Sequence, residues 1–305
     1  MTDGITREEK NVNENELRER MFAQKNLARQ PEAPVQQTAF NIGNAPGGME
    51  RQDAPYVPDI PTIELQLPSG TKLYPEFPGG TIKLKALEQK EMDILSTDHL
   101  IKKNRAFEKA IDSCIVSPRA SSNTLIAGDR IYVLFKLFEI SKGTSEYVFD
   151  QVCPRCNKRT TGIRVDFNDI KVNRVELEKN SFVTPPLPIS KRVVTYHMIN
   201  GFERQTVEDK IRIIMQSTAA AKLIDSTSTE LLLASVDEVE GLTKNQKDDF
   251  VRHMILGDSL ALREHMNDSS PGSNPVFQFS CVNCPHEEEL VVPVQNSFFS
   301  MKGRI

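Results

Sequence analysis

Apolar residues recur along this chain with two periods, and the switches between them lay out its elements. Ile63, Leu65 and Leu67 alternate with polar neighbours, as a strand with one buried face does, and Pro68-Ser69-Gly70 then turns the chain. Leu73 and Tyr74 predict a second short strand, Pro78-Gly79-Gly80 another turn, and Ile82 and Leu84 complete this entry segment. Helical spacing runs through Met92 and Leu95, then through Phe107, Ile111, Cys114 and Ile115, and stops before Pro118. The polar run 121–124 predicts a loop. Gly128-Asp129 predicts a third helix with Asp129 as its N-cap, Leu134, Leu137 and Phe138 as its inner stripe and Gly143 as its stop. Tyr147, Val148 and Phe149, then Ile163, Val165 and Phe167, predict two strands joined by a tight turn.

After a polar link at 173–180 and the Pro185-Pro186 turn, the order starts again. Leu187-Pro188 repeats Leu67-Pro68, and Val193-Val194-Thr195-Tyr196 predicts a strand. Thr206 is expected to cap a helix carrying Val207, Ile211, Ile214 and Met215; 231–236 predicts a strand; Thr243 opens a helix with Phe250, Val251 and Met254. Gly257-Asp258 then opens a helix with Leu260, Leu262 and Met266, and Val276, Phe277 and Phe279 lead into a second turn followed by Leu290, Val291 and Val292. This ordering predicts an α+β fold of two pseudo-repeated strand–helix–knuckle halves, over 59–180 and 181–295.

Residues 1–58 are rich in Asn, Gln, Glu, Arg and Pro and poor in aromatics, which predicts a flexible N-terminal arm. Within it 14–29 has helical spacing, and Phe22, Phe40, Met49 and Tyr56 are anchors for an arm that orders on a partner. A tail, 296–305, carries Phe298, Phe299 and Met301 beside Lys302 and Arg304.

The two turns hold the chemistry. Each is a Cys-x-x-Cys pair between strands, Cys153-Pro154-Arg155-Cys156 and Cys281-Val282-Asn283-Cys284. A two-residue spacer lets one turn supply two thiolates to a tetrahedral Zn²⁺, so the four cysteines predict one structural zinc ion in a zinc-ribbon-like site. Asn157 follows the first pair, where the chain needs a left-handed residue, and Lys158 and Arg159 place positive charge beside a site of formal charge −2. Pro285 and His286 make the second knuckle less regular, and His286 lies close enough to replace a thiolate. The 124 residues between the pairs must fold back to share one ion. A redox pair is the alternative, but such a pair opens a helix after a strand, whereas these join two strands. Cys114 is left over on an apolar helix face and reads as a buried thiol.

Composition narrows the function classes. A formal net charge of −4 over 305 residues gives no case for a nucleic-acid surface or an anionic membrane. No apolar run reaches bilayer length, and Met1-Thr2-Asp3-Gly4 opens no signal peptide. Gly79-Gly80 lacks the Lys-Ser or Lys-Thr of a phosphate loop, no Gly-x-Ser-x-Gly elbow occurs, and His286-Glu287-Glu288-Glu289 lacks the spacing of a zinc hydrolase. Neither an enzyme nor a small-molecule substrate is expected.

The series Gly128-Asp129-Arg130, Tyr132, Leu134, Leu137, Ile140-Ser141, Gly143, Tyr147 and Cys153-Pro154-x-Cys156 resembles the baseplate hub proteins of T-even-like contractile-tailed bacteriophages. Ile101-Lys102-Lys103, Cys114-Ile115-Val116 and the later Gly257-Asp258, Pro271-Gly272 and Cys281-x-x-Cys284 extend the resemblance over roughly 60–300. Asn157, in place of a glycine, and Pro285-His286 depart from it. The resemblance implies a non-enzymatic structural or assembly protein of the tail baseplate hub. Its partners would be other hub and tail proteins, and its place the virion or the host cytoplasm during assembly. A zinc-ribbon adaptor binding nucleic acid or a replication or transcription partner is the rival expectation.

Overall fold

The computed structural model describes residues 59–217, 226–294 and 298–299. The predicted N-terminal arm and most of the 296–305 tail lie outside these residues. The first strands are β1 (Thr62–Gln66), β2 (Thr81–Lys85) and β3 (Ile115–Ser117), an antiparallel sheet in that order. Three helices separate β2 from β3: α1 (Gln89–Leu95), α2 (Asp98–Lys102) and α3 (Ala106–Cys114). The long helix α4 (Ala127–Lys142) follows, then the hairpin β4 (Glu146–Val152) and β5 (Arg159–Asp166). After β6 (Val172–Asn173) comes a second antiparallel sheet of β7 (Phe182–Val183), β8 (Val194–Tyr196) and β9 (Val236–Val239). Here α5 (Gly201–Ser217) and α6 (Thr227–Ser235) separate the last two strands. Then come α7 (Lys244–Arg252), α8 (Leu256–Ser269), β10 (Gly272–Ser273), which pairs with β6, and the hairpin β11 (Val276–Ser280) and β12 (Glu287–Val291).

The alternation read from the sequence is the inner face of the first sheet: Leu65, Ile82 and Leu84 are buried against Leu134, Leu137 and Phe138 of α4 and the Cys114 face of α3. Aromatic rings fill the space beneath the first hairpin. Phe135 stacks on Phe167 at 4.2 Å, and Phe298 lies 4.7 Å from Tyr147 and 4.9 Å from Phe138. Such ring pairs add about 0.5–1.5 kcal/mol each beyond the area they bury. Phe298 and Phe299 of the predicted tail are therefore core residues. Gly143 adopts the left-handed conformation that ends α4, and Thr243 closes a capping box with Gln246 at the start of α7, both as predicted.

Four local expectations are corrected. Asp129 is not a cap: Ile126 holds the N-cap position of α4, and Asp129 sits buried one turn inside. Its carboxylate accepts from Ser69 N at 3.2 Å, from the Ser69 hydroxyl and from the Tyr74 hydroxyl at 2.7 Å. That contact also explains why Leu73-Tyr74 is no strand. Tyr74 is turned inward to donate to Asp129 and to accept from Ile126 N at 3.1 Å, and the next strand waits until Thr81. The 231–236 stretch is helical through Ser235, and from the start of that helix Glu230 meets Lys210 at 2.6 Å and Arg252 at 3.2 Å. A short apolar run carries no period of its own to distinguish the two. Thr206 lies inside α5 and donates to Phe202 O, while Asn200 and Glu203 exchange reciprocal side chain–backbone bonds where α5 begins. The predicted loop at 121–124 contains the short 3₁₀ turn Ser122–Thr124.

Asp258 of α8 is the counterpart of Asp129. It is buried and accepts from the backbone N–H groups of Ile189 at 2.8 Å and Ser190 at 3.0 Å. Each Gly-Asp pair thus fastens its helix to the turn that follows a Leu-Pro pair, Leu67-Pro68 or Leu187-Pro188. A hydrogen bond to a charged acceptor contributes about 1.5–3 kcal/mol. The glycines differ. A Cβ on Gly128 would stand 2.1 Å from Pro271 O and 3.1 Å from Gly272 Cα, so only glycine lets β10 pack on α4. A Cβ on Gly257 would meet only the side chain of Ile189.

Candidate metal centre

The cysteines are presented by two hairpins. In the first, β4 and β5 pair from Glu146↔Asp166 to Val152↔Arg159, and Cys153–Lys158 close the turn. Cys153 N donates to Lys158 O and Asn157 N to Cys153 O, both at 2.9 Å, and Asn157 takes φ 56°. Asn meets that left-handed requirement at modest cost. In the second, Ser280↔Glu287 is the last strand pair; Cys281 N donates to His286 O at 2.9 Å and His286 N to Cys284 O at 2.8 Å. The hairpins are set against each other below their turns, where Phe149 meets Phe277 edge-on at 5.2 Å and the Tyr147 hydroxyl donates to Pro293 O at 3.3 Å.

This placement brings all four predicted sulfurs to one point. Cys153, Cys156, Cys281 and Cys284 offer ligand atoms that all lie within 4.8 Å of one another. Across the hairpins the sulfurs stand 3.8 Å apart for Cys153–Cys284 and 3.7 Å for Cys156–Cys281. A regular tetrahedron with Zn–S bonds of about 2.3 Å has edges of about 3.8 Å. The sulfurs are far outside disulfide distance, which is about 2.05 Å, and all are free thiols. The donor set therefore fits a tetrahedral thiophilic cation. It does not fit a hard cation such as Mg²⁺ or Ca²⁺, which takes oxygen ligands.

The electrostatics run the same way. Asn283 N–H, 3.4 Å from the Cys281 sulfur, leads the effects that bring that thiol down to about 6. Lost hydration, reinforced by the neighbouring sulfurs, pushes Cys284 up to about 12. Four thiolates cannot share this volume without a cation, and a divalent ion removes that penalty for all of them. Arg155, Lys158 and Arg159 add positive charge around the first turn. His286 does not aim at the cluster: its Nε2 lies 3.1 Å from a Glu288 oxygen.

Other titratable groups serve structure. His197 lies between Asp237 at 2.8 Å and Glu203 at 3.2 Å, and His265 Nδ1 meets the Tyr196 hydroxyl at 2.9 Å. Cys114 is buried beside Glu91, and burial pushes its thiol up to about 12. Among the described residues no helix is long and apolar enough to cross a membrane.

Comparison with known proteins gives one finding. A family model described as T4 bacteriophage base plate protein matches residues 60–300. No curated protein and no solved structure matches the chain.

Proposed function

The chain belongs to the T4 bacteriophage base plate protein family, and from that premise we propose that it builds the central hub of the baseplate, as a resident subunit or as an assembly factor. It acts through contacts with other hub and tail proteins, presented on a scaffold stapled by one structural zinc ion. Cys153, Cys156, Cys281 and Cys284 are its ligands. The observation that carries the staple is the convergence of four sulfurs, from hairpins 124 residues apart, at the spacing of a tetrahedral shell. Four protein ligands leave no open coordination position, so the metal supplies stability and no catalysis. Bound there, it stabilises both hairpins and the aromatic core beneath them.

The two halves, 59–180 and 181–295, read as a duplication. The paired Leu-Pro turns, the paired buried aspartates and the two cysteine hairpins support this reading. Folding of the chain would take place in the host cytoplasm before it joins the tail. Quantitative mass spectrometry of purified particles and of baseplate precursors tests the role. A fixed copy number in both identifies a resident hub subunit, and presence in precursors alone identifies an assembly factor. Absence from both refutes the hub reading.

A further inference from the structure

The outward face of α8 is bare where the matching face of α4 is covered. Three exposed large apolar side chains lie there, Leu256 at 71%, Leu260 at 57% and Ile189 at 51%. Ile189 abuts Gly257, so the patch is continuous from the 187–190 turn onto the helix. At 100° per residue, Leu256, Gly257, Leu260, Ala261, Glu264 and Asp268 fall on one stripe, opposite the buried Asp258 and Leu262. The far end of the stripe borders a cleft of about 240 Å³, walled by Pro185, Pro186, Pro188, Ala261, Glu264 and Asp268. Both carboxylates stand without an ion-pair partner among the described residues, unlike Glu230 on α6, which meets Lys210 and Arg252. A contiguous apolar patch rimmed by charge is the mark of a protein contact. The fold itself displays the kind of cover such a face takes: on α4, Gly128 receives an extended segment with a glycine at the point of contact, Pro271-Gly272.

We propose that this face docks residues 300–305 of a second copy of the chain. That stretch, Ser300-Met301-Lys302-Gly303-Arg304-Ile305, follows the core residues Phe298 and Phe299. Its chemistry complements the stripe. Met301 and Ile305 suit Leu256, Leu260 and Ile189; Lys302 and Arg304 suit Glu264 and Asp268; and Gly303 permits backbone approach to the helix. Because the segment and its receptor face lie at different places on the chain, the association is head-to-tail, the geometry that builds rings and stacks. The inference rests on the reading of the chain as an assembly component, and its failure would leave the metal centre and the baseplate role untouched.

The test uses the full chain, a chain ending at Phe299, and a fluorescent synthetic peptide of residues 300–305. Sedimentation should show concentration-dependent association of the full chain, and the shortened chain should remain a monomer. The peptide should bind the shortened chain, and its affinity should fall at least tenfold in Leu256→Asp/Leu260→Asp and in Glu264→Lys/Asp268→Lys. These positions are exposed, so melting and metal content should stay unchanged. A peptide with Lys302→Glu/Arg304→Glu should regain affinity for the Glu264→Lys/Asp268→Lys variant. Peptide affinity indifferent to both α8 variants would overturn the proposal. So would a full chain that sediments as a monomer while the peptide binds, which would place the segment on its own chain.

Discussion

Replacing Gly128 by alanine separates backbone packing from sequence context, because Gly257 occupies the same helix position before an aspartate. At Gly128 the new Cβ would stand 2.1 Å from Pro271 O, where ordinary contacts begin at 3.4 Å. The obstruction is backbone, with Gly272 Cα also only 3.1 Å from the new Cβ, so no side-chain rotation relieves it and α4 must part from β10 by more than an ångström. Overpacking of this kind costs about 1–3 kcal/mol, and alanine's better helix propensity returns at most about 1 kcal/mol. A net loss of about 1–2 kcal/mol lowers Tm by about 2–8 °C for a folded region of this size. At Gly257 the obstacle is the terminal methyl of Ile189 at 2.8 Å, half exposed and free to swing. Gly257→Ala should therefore be neutral or slightly stabilising. Gly143→Ala calibrates backbone strain alone: nothing lies within 4 Å, but φ is +69°, for about 1–2 kcal/mol. Differential scanning calorimetry of the three variants decides the matter. If Gly128→Ala melts within a degree of Gly257→Ala, the seam between α4 and β10 is not as tight as described.

Purified protein should contain one zinc per chain by elemental analysis. Cys281→Ser should lose it and lower Tm in a single transition, whereas independent melting of an intact N-terminal half would contradict a shared staple. Because protons compete for thiolates, metal should be released as pH falls, and thiol titration after chelation should find Cys281 reacting first and Cys114 silent until unfolding. The two buried aspartates should differ in pH response. Asp258, despite desolvation, is held below its ordinary value by the Ile189 and Ser190 N–H groups, so its contribution is present at neutral pH and is lost as pH falls below the ordinary aspartate range near 4. Asp129 is raised by burial, so its contribution is greatest in acid and declines as pH rises through its folded value. Urea denaturation of Asp258→Asn and Asp129→Asn between pH 3 and pH 7 should show the two slopes diverging, and parallel slopes would contradict the assignment.

The four-cysteine cluster was legible because its chemistry is local. A two-residue spacer between strand patterns fixes how each hairpin presents two sulfurs, and Asn157 signals the left-handed turn. That the two pairs meet follows only from the tertiary path, which one sequence leaves open. Stops and caps such as Gly143 and Thr243 were legible for the same local reason. Asp129 was misread because an aspartate near a helix start has two uses. It can cap its own helix, or reach past it to a distant turn, and the choice depends on Ser69 and Tyr74, more than fifty residues away. The 231–236 stretch was misread because its apolar run is too short to carry a period, and the helices it packs against, α5 and α7, lie elsewhere in the chain.

The distance in sequence between the two cysteine hairpins also imposes an order in time. Cys153 and Cys156 leave the ribosome well before Cys281, and at about 5–20 residues per second the interval is roughly 6–25 s. Over that interval the nascent chain holds half of the cluster, two thiols open to oxidation. A chain released early never brings the four sulfurs together. Only polypeptide synthesised past residue 284 holds the full four-sulfur cluster.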